Sequence, residues 1–390
     1  MKLIFYSFQY RKTDAWEQRK LSEIATDISA GGDVDKTILK GSGNYPVIAN
    51  ALINDGIVGY YDNYFRIEAP ALTVTGRGDV GHAKARTVNF TPVVRLLSLK
   101  SEHDVFFLEN AINTLQVIVE STGVPQLTVP QLGNYKIYIP LSIDEEIKIG
   151  NFLTKIDNLI TLQQRKCDNL KKLKKCLLQK MFPKNGSNFP ELRFPGFTDA
   201  WEQRKLGDIG STFTGLTGKT KDDFGHGEAK FVTYLNIFNN PIADPNLLES
   251  VEIDKKQNEV TYGDIFFTTS SETPEEVGMS SIWLKNQQNV YLNSFCFGYR
   301  PKIELAPYFI AFNLRSEPIR KQFTFLAQGI SRFNISKNKV MEMIINLPSI
   351  EEQKKIGLFF KQLENSITLQ LRKLESMKQL KKGLLQQMFV

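Results

Sequence analysis

Two glycine-containing loops and one hydroxyl-rich segment carry side chains suited to contacting a polyanion. The loops read TGRGDVGHAKAR at 75–86 and TGLTGKTKDDFGHG at 214–227, and the segment reads TTSSETPEEVGMSS at 268–281. The side chains they offer are Arg77, Lys84, Arg86, Lys219, Lys221, Ser270 and Ser271. Glycine lets the backbone approach a phosphate closely, while arginine can reach a guanine edge and hydroxyls can bond phosphates or bases. This chemistry favours nucleic-acid binding, although each loop taken alone could be a solvated surface turn.

A short turn occurs in both halves of the chain and adds two candidate base-contacting residues. It reads STGVPQLTV at 121–129 and AQGISRFNI at 327–335, so that Gln126 is matched by Arg332. Glutamine can bond adenine, and arginine can bond guanine, through paired hydrogen bonds in the major groove. Because the turn is common to both halves, it could equally belong to a constant frame.

The sequence lacks the patterns that would support catalysis, metal binding or cofactor binding. The stretch GLTGKT at 215–220 resembles a phosphate-binding loop, but Phe213 stands where that motif needs its first glycine. The three histidines have no metal-ligand spacing; they are His82, His103 and His226. There is no nucleophile elbow, dinucleotide fingerprint or Asn/Asp-Pro-Pro-aromatic motif of the kind amino-methyltransferases use. We expect no active site, no cofactor and no bound metal.

Two internal repeats define the elements that must position these loops. The nonapeptide TDAWEQRKL occurs at 13–21 and again at 198–206, and the stretch at 143–182 recurs at 350–389 with just over half of its positions identical. In the longer repeat, apolar residues alternate in steps of four and three, the pattern of a helix that packs lengthwise on another helix. Each copy would form a rod about 60 Å long at about 1.5 Å per residue. We interpret the rods as spacers.

One glutamine interrupts the apolar seam near the middle of each predicted rod. These residues are Gln163 and Gln370, at equivalent positions of the repeat. If the rods pair antiparallel with their centres aligned, the two amides face each other and fix the register of the pair. Alternatively, each glutamine lies at the edge of the seam, half in water.

Positive charge is concentrated towards the carboxyl ends of the rods. The chain has 49 Lys and Arg against 42 Asp and Glu, a net charge of +7. Basic residues crowd the segment 165–184, which contains one acid, Asp168, whereas acids collect where each rod begins. This gradient suits the helix dipole, but fewer charges would satisfy it, so a polyanionic partner is the better interpretation. A merely solvated basic face is the alternative.

Cysteine usage and hydropathy bear on the cellular compartment. The three cysteines have neither metal nor redox spacing, which suits free thiols in a reducing cytoplasm. No apolar run is long enough to span a membrane, and the first residues make a poor signal peptide. We therefore expect a cytoplasmic protein without a membrane partner.

The segments between the repeats predict two globes of mixed α and β structure. Short β-rich runs are predicted at 45–53, 56–61, 69–76, 85–90 and 133–141 in the first globe, and at 231–237, 263–269, 280–284 and 295–300 in the second. A helix is predicted in each globe, at 104–120 and about 306–326. The expected domains are 1–142, the first globe; 143–182, the first rod; 183–197, a linker; 198–346, the second globe; and 347–390, the second rod.

Together these features resemble the specificity subunit of type I restriction–modification systems. The resemblance rests on the duplicated TDAWEQRKL, on rods that begin IDEEIKI and IEEQKKI, and on the turn in which Gly123 and Gln126 are matched by Gly329 and Arg332. It covers nearly the whole chain. It implies an α+β fold, with two mixed α/β target-recognition domains separated by two long helices that form an antiparallel coiled coil, and a pseudo-two-fold internal repeat.

The resemblance also implies a function and partners. In that family each target-recognition domain reads one half of a split site in double-stranded DNA, and the helices set the spacing between the halves. The subunit is not catalytic; two methyltransferase subunits dock on it, and restriction-translocase subunits complete a site-specific deoxyribonuclease and adenine-N6 DNA methyltransferase. The alternative is a coiled-coil scaffold for proteins alone, which would not need two dissimilar globes with basic loops.

Overall fold

The computed structural model describes residues 16–118, 123–184 and 186–389. Residues 13–15 of the first nonapeptide and 121–122 of the first turn therefore lie outside the described part of the chain. The chain divides into two compact units. Unit 1 combines the described residues up to Gln164 with those from Arg372 onward, and unit 2 is Arg165–Leu371. Each long helix of the repeat is thus shared between the two units.

Unit 1 is a mixed α and β structure. Its strands are β1 (Glu17–Lys20), β2 (Ala25–Ala30), β3 (Tyr45–Ile48), β4 (Ile57–Tyr61), β5 (Ala71–Val74), β6 (Ala83–Arg86), β7 (Thr91–Pro92), β8 (Leu97–Ser101) and β9 (Lys136–Ile139). Its helices are α1 (Leu21–Ile24), α2 (Val105–Asn113) and α3 (Val129–Asn134), together with the first part of α4 (Ile143–Lys180). An antiparallel sheet has the order β2-β8-β5-β6, a second sheet has the order β4-β3-β7 with β3 and β7 parallel, and β1 pairs with β9.

Unit 2 repeats this plan. Its strands are β10 (Glu202–Lys205), β11 (Gly210–Thr214), β12 (Phe224–Val232), β13 (Leu248–Val251), β14 (Ile265–Thr268), β15 (Ser270–Ser271), β16 (Ser280–Ile282), β17 (Val290–Leu292), β18 (Cys296–Pro301), β19 (Phe333–Asn334) and β20 (Ile344–Leu347). Its helices are α5 (Leu206–Ile209), α6 (Tyr234–Asn239), α7 (Pro307–Asn313), α8 (Glu317–Leu326) and α9 (Lys337–Met341), together with the first part of α10 (Ile350–Phe389). The sheet orders β11-β18-β14-β16, β13-β12-β17 and β10-β20 match those of unit 1, and β15 pairs with β19. The predicted internal repeat is therefore a repeat of topology.

The core of each unit lies between the larger sheet and the helix that follows its last strand. In unit 1 every residue of the central strand β5, Ala-Leu-Thr-Val, is buried, so its sequence does not alternate between apolar and polar residues. Helix α2 begins where the Asp104 side chain accepts a hydrogen bond from Phe107 N at 2.8 Å, and it buries Phe107, Leu108 and Ile112 against the sheet. Central strand β14 and helix α7 occupy the same places in unit 2.

Four predicted elements are compared with the observed ones, and each differs. The stretch 231–237, predicted as one strand, is the end of β12 followed by α6, because the Thr233 hydroxyl caps the helix by accepting from Asn236 N. The single helix predicted over about 306–326 is two helices, since Pro318 stands in the first turn of α8, where proline starts a helix but does not continue one. The helix predicted at 104–120 ends at Asn113, and β6 begins at Ala83 rather than Ala85.

The end of α10 closes an aromatic cluster in unit 1. The Phe389 ring centroid lies 5.7 Å from that of Trp16 and 5.3 Å from that of Phe107. Trp16 belongs to the first nonapeptide, and Phe107 belongs to α2. The last turn of the second long helix therefore packs on the globular part of unit 1.

Unit 2 has the matching cluster, closed by Phe182, which lies two residues past the end of α4. The Phe182 ring centroid lies 6.2 Å from that of Trp201 and 5.8 Å from that of Phe309. Trp201 occupies the place in the second nonapeptide that Trp16 occupies in the first. Each long helix thus begins in one unit and ends against the core of the other.

Within each unit, segments of the two long helices run antiparallel. In unit 1 the Lys381 Nζ lies 2.6 Å from the Asp157 Oδ1, while residues nearer the start of α4 share a core cluster with Phe389. In unit 2 Lys174 forms an ion pair with Glu364, while Phe182 stacks on Phe360 at 5.8 Å. In both units, residue numbers rise along α4 as those of the contacting residues in α10 fall, so the two segments are antiparallel.

A buried side chain in the first turn of each long helix bonds the start of an earlier helix, α2 in unit 1 and α7 in unit 2. In unit 1 the Glu146 carboxylate accepts a hydrogen bond from Asp104 N at 3.1 Å and lies 2.7 Å from the His103 Nδ1. In unit 2 the equivalent residue is Gln353, whose side-chain oxygen accepts from Ala306 N at 3.1 Å. The acid at this position of α4 therefore has a packing role beyond the helix-dipole effect inferred from the sequence.

Two glycines mark the closest approach at these junctions. A Cβ atom added to Gly150 would lie 2.9 Å from Phe107 N, and one added to Gly357 would lie 2.4 Å from Phe309 N. Because backbone would have to shift, we expect G150A or G357A to lower the free energy of unfolding by about 1–3 kcal/mol, measured by urea denaturation.

A third glycine of the same helices provides the control. A Cβ atom added to Gly383 meets nothing within 4 Å. Since alanine is the better helix former, G383A should raise the free energy of unfolding by about 0.5–1 kcal/mol. If G150A and G357A stabilised the protein as G383A does, the close packing at the helix starts would be refuted.

Candidate nucleic-acid interface

Arg77 and Gln126 are brought together in unit 1 by backbone pairing. Leu127 N donates to Gly76 O at 2.9 Å, Gly78 N donates to Pro125 O at 3.1 Å, and Arg77 pairs with Gln126 in an isolated antiparallel bridge. The Arg77 side chain is exposed. Two segments selected independently from the sequence therefore form one surface.

Lys84 and Arg86 lie nearby on β6 and line a cleft of about 250 Å³. The Lys84 ammonium lies 3.3 Å from the Glu109 carboxylate. The Arg86 Nε donates to the Thr73 Oγ1 at 3.0 Å and its Nη2 donates to Asp55 O at 2.9 Å, while burial lowers the pKa of this guanidinium. Arg86 therefore fixes the hairpin between β3 and β4 in addition to lining the cleft.

The tip of that hairpin is a surface that the sequence analysis missed. Asn54 and Asp55 both have φ of 52°, in the left-handed region, and Ile53 is 87% exposed. The signal was present, because Asn-Asp-Gly between two β-rich runs is typical of a tight hairpin turn. The tip stands beside the cleft that Lys84 and Arg86 line.

Ser270, Ser271 and Arg332 are brought together in unit 2. The Arg332 Nη2 donates to the Ser270 Oγ at 3.0 Å, and the Ser271 hydroxyl donates to the Glu276 carboxylate at 3.2 Å. All these side chains line one cleft of about 480 Å³, whose lining residues are Tyr234, Leu235, Phe238, Ser270, Ser271, Glu272, Glu276, Ser331 and Arg332. Tyr234 and Phe238 are stacked at 5.9 Å. Neither was predicted as a site residue, because Tyr234 stands in the predicted strand 231–237 and Phe238 directly follows it.

Backbone pairing corrects one detail of the sequence alignment. Ser270 pairs with Asn334 across β15 and β19, as Arg77 pairs with Gln126 in unit 1. The residue at the position of Gln126 is therefore Asn334 rather than Arg332. The reason is that the turn of unit 2 is two residues longer before it reaches the next buried residue, Ile335.

Lys219 and Lys221 have different environments. The Lys219 side chain is only 12% exposed, and its Nζ lies 3.1 Å from the Asp254 Oδ2. Hydrogen bonds from Gln257 and Lys256 N, together with Lys219, lower the pKa of Asp254 to about 2. Lys221 is exposed. Of the two, Lys221 is the one with a side chain available to a phosphate.

The two seam glutamines differ in burial. Gln163 is 7% exposed, whereas Gln370 is half-buried. The alternative that each amide lies half in water is therefore wrong for Gln163. Their role in setting the helix register stays a prediction.

Neither a metal site nor a membrane-spanning segment is found in the described ranges. Across residues 16–118, 123–184 and 186–389, no group of His, Cys, Asp and Glu is arranged to hold a metal ion. In the same part of the chain, every helix is too short or too polar to cross a membrane.

Comparison with known proteins identifies the family. The family described as "Type I restriction modification DNA specificity domain" matches residues 13–172 and 198–379, and the chain belongs to this family. The putative type I specificity subunit S.MpnORF507P of Mycoplasma pneumoniae is 32% identical over 126 residues, which cover 31% of this chain and 34% of that protein. The specificity subunit of the type I restriction enzyme MjaVIII from Methanocaldococcus jannaschii is 22% identical over 388 residues, which cover 88% of this chain and 84% of that protein.

The fold has a counterpart among solved structures. The crystal structure of a type I restriction–modification S subunit from M. genitalium aligns with a TM-score of 0.64 at 15% identity, covering 98% of both chains. The predicted α+β fold with two repeated parts is thereby confirmed.

Proposed function

We propose that this protein is a non-catalytic DNA-reading subunit of a type I restriction–modification complex, with each unit reading one half of a split site. The observation that carries the proposal is the recurrence of one polar surface on two copies of the same frame. In unit 1 this surface is Arg77 beside Gln126, and in unit 2 it is Ser270 beside Asn334 and Arg332. The surfaces share position but differ in side chains, as two readers of different half-sequences would.

The long helices fit the role of spacer. Within unit 1 Asp157 of α4 pairs with Lys381 of α10, and within unit 2 Lys174 of α4 pairs with Glu364 of α10. Because the paired helix segments run antiparallel in each unit, these ion pairs support the proposed antiparallel coiled coil. A helix as long as α4 spans about 57 Å at about 1.5 Å per residue, more than the roughly 34 Å between successive turns of a DNA groove.

Apolar side chains on these helices support docking of partner subunits. Four leucines at two pairs of equivalent positions are between 46% and 64% exposed: Leu162, Leu369, Leu173 and Leu380. Repeated exposed apolar residues on a helical surface suit partner helices. We propose that methyltransferase subunits dock on these leucines in each unit and that restriction-translocase subunits join the complete enzyme. We also propose that the domain boundaries fall after residues 142, 182, 197 and 346. Because the partners carry the catalytic chemistry, this chain needs no active site.

Methylation mapping of genomic DNA tests the proposal. Cells that contain this protein and its methyltransferase subunit should methylate a motif with two short specified halves around an unspecified gap. Cells with the methyltransferase subunit alone provide the control. A short continuous motif would mean that one unit alone reads DNA, and no methylation with a folded methyltransferase subunit would favour the protein-scaffold alternative.

Single substitutions can then assign each half to a unit. R77A should relax the half read by unit 1, and R332A should relax the half read by unit 2, because each removes the arginine of one polar surface. If both variants affected the same half, the assignment of one half to each unit would be wrong.

A further inference from the structure

A partly buried arginine joins three elements behind the cleft of unit 2. The Arg315 Nε donates to Ser280 O at 2.7 Å, and its Nη2 donates to Ile237 O at 2.6 Å, Asn240 O at 3.0 Å and Phe238 O at 3.1 Å. Burial and the neighbouring Arg320 lower the pKa of Arg315 to about 9, so it remains protonated at neutral pH. Four carbonyl oxygens thus converge on one cation that lies just after α7 and holds α6 against β16.

A second arginine holds the opposite wall of the same cleft. Arg320, on α8, donates through Nη1 to Gly278 O and through Nη2 to Glu275 O, both at 2.8 Å, and it also bonds Val277 O. Gly278 packs on the Phe323 ring so closely that an added Cβ atom would lie 2.3 Å from it. The loop between β15 and β16 is therefore fixed to α8.

Both walls carry residues that line the cleft. Tyr234, Leu235 and Phe238 belong to α6, which Arg315 holds at its carboxyl end. Glu272 and Glu276 belong to the loop that Arg320 holds. Neither arginine lines the cleft itself.

Unit 1 has a smaller side chain at the place of Arg315. The Asn113 side chain accepts from Ala83 N at 2.9 Å and donates to Ala83 O at 3.0 Å. Ala83 and Ser280 are equivalent, because they pair with Val74 and Phe267, the residues before Thr75 and Thr268 in the two central strands. Asparagine at this place reaches only the strand, whereas arginine also reaches α6.

We propose that Arg315 and Arg320 are positioning residues for base reading by unit 2, setting the separation of the cleft walls on either side of Arg332. The inference rests on the function proposed above. A lysine at either place keeps the charge but cannot donate to several carbonyl oxygens in one plane. Without those bonds the walls move, and the polar groups of the cleft no longer match one base sequence.

Competition binding on the complex with the methyltransferase subunit tests this inference. The full-length variants are R315K and R320K, and the probes are duplexes with the mapped site or with base changes in either half. Discrimination at the half that R332A relaxes should fall by about tenfold, whereas discrimination at the other half and the salt dependence of binding should not change. R300K is the matched control, because Arg300 bonds Asp264 and Glu259 O and lies outside the cleft lining.

The readout separates positioning from mere loss of folded protein. A lower folded fraction reduces all affinities alike, whereas displaced walls change the ratio between cognate and altered duplexes. If the unmodified complex and both variants all distinguished the mapped site from the altered duplexes equally well, the inference would be overturned. If the unmodified complex itself did not distinguish these duplexes, the proposed function would fail. Should neither variant fold, hydrogen exchange on the unmodified complex decides, because cognate DNA must protect 234–240 and 270–278 more than DNA altered in that half.

Discussion

Replacing Phe389 by alanine is expected to lower the stability of unit 1 by about 3–5 kcal/mol, the usual cost of removing a buried phenylalanine ring. The ring is 8% exposed and contacts the rings of Trp16 and Phe107. Hydrogen exchange resolved by segment is the suitable measurement, since it reports each unit separately. Protection should fall in α2 and β9, and it should remain in the core strands of unit 2.

The matched variant is F182A, which removes the equivalent ring from unit 2. Its effect should appear at α7 and in the strands around it, because Phe182 contacts Phe309 and Phe360. The control is Q386A, which changes an exposed residue near Phe389 at the end of α10 and should leave exchange in both units unaltered. If F389A instead weakened unit 2, the packing of each helix end on the unit other than the one where the helix begins would be disproved.

Replacing Arg193 by methionine should destabilise unit 2 by about 3–5 kcal/mol, because it leaves a buried carboxylate without its cation. The Arg193 Nε and Nη2 each donate to one oxygen of Glu352 at 2.7 Å, and the Glu352 side chain is 1% exposed. These bonds raise the pKa of Arg193. Urea denaturation of full-length R193M, compared with the unmodified chain, measures the effect.

A double-mutant cycle isolates the pair. Replacing both Arg193 and Glu352 by methionine should restore much of the lost stability, since apolar residues of similar length fill the site without an unpaired charge. R193K should be intermediate, because lysine keeps the charge but cannot form the paired bonds. If R193M alone proved neutral, the ion pair would contribute nothing to the docking of this segment on α10.

The Arg193 pair also shows what sequence patterns could not reveal. The Pro, Gly and Asn content of the segment 183–197 indicates a linker. In the structure, however, Phe194 packs on Phe359, and the Lys355 ammonium lies over the Phe194 and Phe197 rings at 5.2 and 5.4 Å. Composition indicates that a segment is not a regular helix or strand, but it says nothing of what the segment touches. The contacts join residues about 160 positions apart, as Arg193 and Glu352 are (352 − 193 = 159).

The repeats were predictable because they are periodic and long. The heptad pattern predicted α4 and α10, whose observed bounds agree with it to within two residues. Short elements were harder, as at 231–237, where one threonine cap turns a β-rich sequence into a helix. The same distinction applies to the candidate site. The composition of the loops that contain Arg77 and Arg332 was enough to predict them. The cleft wall formed by Tyr234 and Phe238, and the contacts of Arg315 and Arg320, depend on tertiary packing and could not be predicted from sequence.

The exchange of helix ends between the units has a consequence for synthesis of the chain. Phe107 leaves the ribosome 282 residues before Phe389 (389 − 107), so the aromatic cluster of unit 1 stays open while unit 2 is made. At about 5–20 residues per second, that interval lasts on the order of tens of seconds. Phe182, in contrast, precedes Phe309 and Phe360, so unit 2 can complete its cluster first. The part of the protein that is translated earlier is therefore the part that finishes folding later.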